Sequence, residues 1–288
     1  MSFSTALQIL NNSILRVGRN LISYNDPDFI IIGAQKCGTS SLHAYLEQHS
    51  EIEGSIPKEI HFFDRDIYLG KKLNSYRRHF LSGTNHLCFE SSPSYLYAPG
   101  AAQNIYKYYP EIKLIVILRD PVKRAFSAWN HYKVHFETGT FRRTISKGKK
   151  RKGNLINEKF FKDRASFPDF RECIEIELEL IELGTGFEPA ILRRGLYLSQ
   201  LQEYWRLFSK EKLMIIGFQD LIKNPAATMG EITSFLETNK FDWENVEFKP
   251  QNQNYYKQSM GDDDKFFLDA FYNEPNKKLF DEIGALNW

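Results

Sequence analysis

Apolar positions along the 288 residues fall into two kinds of run. Phe29 to Ile32 is unbroken and β-branched and reads as a strand. Residues 113–118 also lack alternation, which reads as a strand covered on both faces, and 212–217 form a further strand-like run. Between these runs the apolar residues recur at helical spacing. Leu42, Tyr45 and Leu46 mark one helix, and Asp120-Pro121 supplies a cap and a first residue for another. The stretch from Phe167 to Leu183 reads as an acidic amphipathic helix, and Tyr197 to Phe208 as a further one. Ala226 to Leu236 reads as a helix after the Asn224-Pro225 break, and Phe266 to Ile283 as the closing helix. Strands alternating with helices predict an α/β fold with a central parallel sheet flanked by helices. No Gly/Ser/Pro-rich linker divides residues 25–288, which are therefore expected to form a single domain.

Ahead of that domain, Phe3, Leu7, Leu10, Ile14, Val17 and Leu21 step by four and three, which predicts an amphipathic helix over 1–24. Such a stripe docks on its own domain, on a second copy, or at a membrane interface, where Arg16 and Arg19 could face lipid phosphates. No window approaches a transmembrane span, and the basic and apolar regions of a signal peptide are absent. The reading is a cytoplasmic, bacterial-type protein.

The first strand runs straight into chemistry. Gly33-Ala-Gln-Lys-Cys-Gly-Thr-Ser-Ser41 is a turn between a strand and a helix N-terminus. There the free backbone N–H groups, the hydroxyls of Thr39, Ser40 and Ser41 and the ammonium of Lys36 can converge on an anion. In a nucleoside-triphosphate loop the lysine directly precedes the Ser or Thr. Here Gly38 separates Lys36-Cys37 from Thr39, which places the lysine at the loop mouth beside a single 5′-phosphate. A second loop follows the strand at 113–118: Arg119 stands at its carboxyl end, and Ser127 lies about two turns into the next helix. In an open α/β sheet two such loops meet outside the strand ends, where one nucleotide with two phosphates fits.

These motifs resemble those of sulfotransferases that use 3′-phosphoadenosine 5′-phosphosulfate. Lys36-Cys-Gly-Thr-Ser-Ser41 is similar to their 5′-phosphosulfate loop and Arg119 to Ser127 to their 3′-phosphate site. Within that superfamily the chain most resembles the heparan sulfate glucosaminyl 3-O-sulfotransferases and their bacterial relatives. Pro57-Lys-Glu-Ile-His-Phe-Phe-Asp64, Gly195-Leu-Tyr-Leu-Ser-Gln-Leu201 and Glu274-Pro-Asn-Lys-Lys-Leu-Phe-Asp-Glu-Ile-Gly284 carry the likeness further. The resemblance implies a P-loop-like fold and transfer of a sulfuryl group to an acceptor hydroxyl, expected on a carbohydrate. It casts Glu59 as general base and Lys36 as the cation on the leaving phosphate, with His61 assisting. Lys36, Cys37, Gly38, Thr39, Ser40, Ser41, Arg119 and Ser127 would hold the donor, with Lys257 and Ser259 closing over its 3′-phosphate. Lys58, Glu59, His61, Asp64 and Ser91 would meet the acceptor. No metal is required, because Lys36, Arg119 and helix N-termini supply positive charge.

The chain also departs from the resembled enzymes. They carry Glu-Lys-(Thr/Ser) where this chain has Glu90-Ser91-Ser92, so one cation is missing: another serves, or the acceptor is less anionic than heparan. Sulfation of a small lipid, polyketide or other metabolite hydroxyl is therefore an alternative. A nucleotide kinase and a non-catalytic receptor for 3′,5′-bisphosphoadenosine are further ones; the Lys36 offset counts against the first and Glu59 against the second.

Composition narrows the partners. A net charge of +2 carries no general attraction to nucleic acid. The three cysteines lack metal-ligand spacing and indicate no disulfide framework. The one strong charge run, Arg142-Arg143 and Lys147 to Gly153, reads as a mobile basic insertion around 139–165, either solvated or drawing an acidic acceptor toward the cleft.

Overall fold

The computed structural model describes residues 24–64, 73–80, 86–139, 159–160, 164–184, 189–251 and 259–288. The expected N-terminal helix, Lys257 and the basic run at 142–153 lie outside the described residues.

Among the described residues five strands form one sheet: β1 (Phe29–Gly33), β2 (Ile52–Gly54), β3 (Leu87–Ser91), β4 (Lys113–Leu118) and β5 (Leu213–Gly217). Their order is β2-β3-β1-β4-β5 and every pairing is parallel. Phe29 lies level with Phe89 on one side and Lys113 on the other. The unbroken apolar runs are explained by position: Phe29 to Ile32 and Leu114 to Leu118 have no exposed surface, because helices cover both faces of the sheet.

Helices among the described residues include α1 (Thr39–Leu46), α2 (Asn74–Arg77), α3 (Ala101–Tyr108), α4 (Pro121–Glu137), α5 (Phe170–Glu182), α6 (Tyr197–Trp205), α7 (Phe218–Lys223), α8 (Pro225–Leu236) and α9 (Asp262–Ile283). Asp120 caps α4 as its position predicts, its carboxylate accepting from the amides of Val122 and Lys123 at 2.9 and 3.4 Å. α9 begins four residues before the apolar pattern does, because Asp262, Asp263 and Asp264 occupy its first turn, where the helix dipole favours negative charge. A second core, including Trp129, Phe170, Ile174, Leu268 and Tyr272, joins α4, α5 and α9.

After β1 the chain leaves toward β2 and β3; after β4 it leaves toward β5. The two loops diverge from neighbouring strands and leave a crevice between them, the usual ligand position in such a sheet.

Candidate functional site

The crevice is built from three loops. In the first, the amide of Ala34 donates to the carbonyl of Ile117 at 2.9 Å and pins the loop start to β4. Lys36 then takes a φ of 69° and Gly38 a φ of 92°, a left-handed turn that reverses the chain into α1. Gly38 is needed twice over, since an added Cβ would also stand 3.1 Å from the Phe218 ring. The first α1 hydrogen bond is Leu42 N–H to Gly38 C=O, and no side chain caps the helix. The amides of Thr39, Ser40 and Ser41 therefore precede the intrahelical ladder. Thr39 is buried and Ser40 half-buried; buried Ser41 accepts from the amide of Gln251 at 2.9 Å, so its hydroxyl ties the loop to the chain ahead of Ser259.

Arg119 enters from the end of β4. Its Nη1 donates to the Lys36 carbonyl at 3.2 Å, its guanidinium lies 4.7 Å from the Phe218 ring centre, and its buried Nε has no hydrogen-bond partner. Cys37 is enclosed beneath the loop, its sulfur 3.6 Å from the Tyr197 hydroxyl, which donates to the Arg119 carbonyl at 2.8 Å. Burial pushes the Cys37 thiol up, which makes it a packed, uncharged filler. Ser127 is buried two turns into α4, and the fully buried Arg124 donates to the Ile191 carbonyl while its Nε and Nη1 find no partner. Burial and then the Arg119 charge hold the Lys36 ammonium below its usual range. Cations with unmet donors around a left-handed loop are the fit expected of an anion site.

The third loop carries Lys58 to Asp64. It is a turn rather than an alternating strand, with His61 at a φ of 56°. His61 bridges two carboxylates: its Nε2 is 3.3 Å from Glu59 Oε2 and its Nδ1 2.7 Å from Asp64 Oδ2. Lys58 Nζ lies 3.1 Å from Glu59 Oε1. Asp64 is 5% exposed and orients the ring from below, whereas Glu59 is 43% exposed and faces the cleft. Burial acts to raise the Glu59 carboxyl, but the bonds and charges of His61 and Lys58 outweigh it and bring it down to about 2. Glu59 is thus a carboxylate, able only to accept a proton.

Lys36 joins the loops, because its charge is felt by Glu59 as well as by Arg119. Two residues missed in the sequence stand with it. The His131 and His135 rings on α4 lie 4.1 Å apart, and His131 is in the field of both Lys36 and Glu59. Burial first, then Lys36 and His135, push His131 down to about 3, so its imidazole is neutral. The available signal was spacing: Ser127, His131 and His135 recur every four residues on one helical face.

Two expected contacts are not brought into this group. Ser91 is fully enclosed and its Oγ has no hydrogen-bond partner, so it presents no surface to an acceptor. Ser259 is exposed and lines a cleft of about 510 Å³ with Phe126, Trp129, Met260 and Asp264.

The profile of the sulfotransferase domain matches residues 26–267. Among curated proteins the chain is similar to the membrane-associated sulfotransferase kil1 of Dictyostelium discoideum, at 26% identity over 88% of this chain and 64% of that protein. It is also similar to human heparan sulfate glucosamine 3-O-sulfotransferase 5, at 28% identity over 73% of this chain and 53% of that one. The chain spans about half to two thirds of these relatives. Among solved structures, a sulfotransferase from Alicyclobacillus acidocaldarius superposes with a TM-score of 0.66 at 26% identity, over 92% of this chain and 98% of that one.

Proposed function

The chain belongs to the sulfotransferase domain family, and we propose that it transfers a sulfuryl group from 3′-phosphoadenosine 5′-phosphosulfate to a hydroxyl of a glycan. The observation that carries this reading is the position of Lys36. Its carbonyl is held by Arg119, and its charge is felt by Glu59, so the cations suited to the donor's phosphates and the carboxylate suited to the acceptor's proton share one residue.

The residues fit the donor. The amides of Thr39, Ser40 and Ser41 with Lys36 would hold the 5′-phosphosulfate, and Arg119, whose buried Nε has no partner, would hold the 3′-phosphate with Ser127. Bound there, the donor supplies the activated sulfuryl group. Glu59 takes the proton of the acceptor hydroxyl as that oxygen bonds to sulfur. Lys36 and the α1 amides meet the charge that collects on the leaving phosphate oxygen. Asp64 and His61 keep the Glu59 carboxylate aimed, while neutral His131, in the field of Lys36 and Glu59, can accept a hydrogen bond from the acceptor.

The glycan acceptor rests on the likeness to heparan sulfate sulfotransferases. One observation favours a less anionic acceptor, such as the hydroxyl of a small metabolite: the buried, neutral Ser91 stands where the resembled enzymes place a lysine. Labelled sulfate offered with a panel of sulfated and unsulfated glycans and small hydroxylated metabolites separates the two. Label on a glycan supports the proposal and label only on a small molecule replaces it. Absence of transfer together with absence of binding to the bisphosphate product refutes the donor assignment.

Two substitutions test the nucleotide loops by calorimetry with 3′,5′-bisphosphoadenosine. Arg119→Ala removes charge-assisted bonds of about 1.5–3 kcal/mol each, so affinity is expected to fall about 10- to 100-fold; unchanged affinity would remove Arg119 from the site. Gly38→Ala forces a side chain into the left-handed turn and against Phe218, a strain of about 1–3 kcal/mol, and is expected to weaken binding about tenfold or more while the sheet stays folded.

A further inference from the structure

Glu90 is a fully buried carboxyl that the reaction leaves unused. It sits on β3 with no exposed surface, directly beneath the loop of Lys58 to Asp64. Its Oε1 accepts from the Tyr76 hydroxyl at 3.1 Å and its Oε2 from the Ser92 hydroxyl at 3.2 Å; Tyr95 is hydrogen-bonded to it as well. The same Ser92 and Tyr95 oxygens face the loop. Ser92 Oγ accepts from the amide of His61 at 3.1 Å, and Tyr95 Oη accepts from the amides of Phe62 and Phe63 at 2.8 and 3.4 Å.

A hydroxyl has one proton, and a backbone N–H can only donate. Once Ser92 and Tyr95 accept from the loop amides, their own protons must go to an acceptor. Ser92 and Tyr95 are also bonded to each other, so the pair sends at least one proton to Glu90, beside the proton of Tyr76; Glu90 takes both fully only when ionised, since a protonated carboxyl or an amide would itself donate to one of them. We propose that Glu90 is the positioning residue of the reaction loop: as a buried carboxylate it accepts from the pair of Ser92 and Tyr95, turns both oxygens toward the amides of His61, Phe62 and Phe63, and thereby holds Glu59 at the cleft. This rests on the reading of Glu59 as the proton acceptor, but the loop order it explains does not. The left-handed backbone at His61, unusual for a residue with a side chain, is held by these bonds.

The arrangement is sensitive to pH. Burial pushes Glu90 up to about 7, against the pull of the Tyr95, Tyr76 and Ser92 bonds and of His61 across the loop. The groups around it are Tyr76 on α2, Tyr95 in the turn after β3 and His61; Tyr109 faces Tyr76 and Asp64 faces Tyr95. Burial on β3 raises the carboxyl whether the loop is held or free, whereas the Ser92 and Tyr95 bonds pull it down only in the held loop, so ionisation favours the held loop and the loop is released as pH falls through that value.

Amide hydrogen exchange on the full chain reads this without any acceptor. Protection of His61, Phe62 and Phe63 is expected to be about tenfold lower at about pH 5.5 than at about pH 8, the worth of one buried hydrogen bond. In Glu90→Gln protection should sit at the lower level at both. Tyr76→Phe removes a donor from the carboxylate and touches no loop amide; it should move the change to higher pH. Should Glu90→Gln fail to fold, Tyr76→Phe and Ser92→Ala carry the test. Native protection in a folded Glu90→Gln chain, loss spread evenly over β1, β3 and β4, or a Tyr76→Phe profile that does not move would each overturn the proposal. In transfer assays Glu90→Gln should lower kcat about tenfold with the affinity for 3′,5′-bisphosphoadenosine unchanged. A native chain that transfers no sulfate but shows the exchange pattern overturns the proposed function alone; a native chain that transfers sulfate without it overturns the role of Glu90 alone.

Discussion

Glu59→Gln is expected to slow sulfuryl transfer about 10²- to 10⁴-fold, the usual worth of a positioned proton acceptor, and to leave affinity for 3′,5′-bisphosphoadenosine within about twofold. The split follows from geometry. Glu59 belongs to the loop of His61 and Asp64, whereas the cations proposed for the donor belong to the loops after β1 and β4. Its carboxyl, held at about 2, is ionised across any working pH, so the amide removes a charge and an acceptor at once. A carboxylate of that strength is a weak base toward a free hydroxyl. In the proposed role it would take the proton late, after the attacking oxygen has begun to bond to sulfur and its hydroxyl has become acidic. Lys58 is one of the causes of that low value, so Lys58→Ala should raise it and shift the acidic limb of the rate profile to higher pH. A loss of nucleotide affinity in Glu59→Gln as large as the loss of rate would make Glu59 a support of the nucleotide loop instead.

What could be read from the chain and what could not divides along sequence distance. The Lys36 to Ser41 turn and the Asp120-Pro121 start of α4 are written in adjacent residues, because a left-handed glycine and a capping carboxylate act within a few positions. The parallel sheet was legible from its unbroken apolar runs, but the three residues of β2 carry too little pattern to stand out. Glu59, His61 and Asp64 were named as a group from their resemblance to a family motif, yet the turn that joins them is held by Ser92 and Tyr95, some thirty residues away. Nothing local signals such partners. Ser91 is the reverse case: its place in the chain suggests the acceptor, but β3 is covered on both faces and encloses it. His131 lay on a helix already assigned to the nucleotide, where a histidine looks like any other polar position until Lys36 and Glu59 are placed beside it.

Lys36 carries the last prediction. Its ammonium is coupled to both Arg119 and Glu59, so Lys36→Ala should reduce both binding and rate. Removing a charge that stabilises the leaving oxygen costs about 10²- to 10³-fold in kcat, beyond the loss of affinity. The pH dependence distinguishes this lysine from a general basic surface. In the free protein, burial and Arg119 hold the Lys36 ammonium below its usual range; a bound phosphate restores it by supplying the opposite charge. A group whose pKa rises on binding contributes its full affinity below its free-state value and loses that contribution as pH rises through it. Affinity for 3′,5′-bisphosphoadenosine should therefore decline on the alkaline side in the native chain, with proton uptake measurable by calorimetry in buffers of different ionisation heat. In Lys36→Ala the decline and the uptake should both disappear. If they persist there, another cation titrates with the ligand and Lys36 does not touch the phosphate.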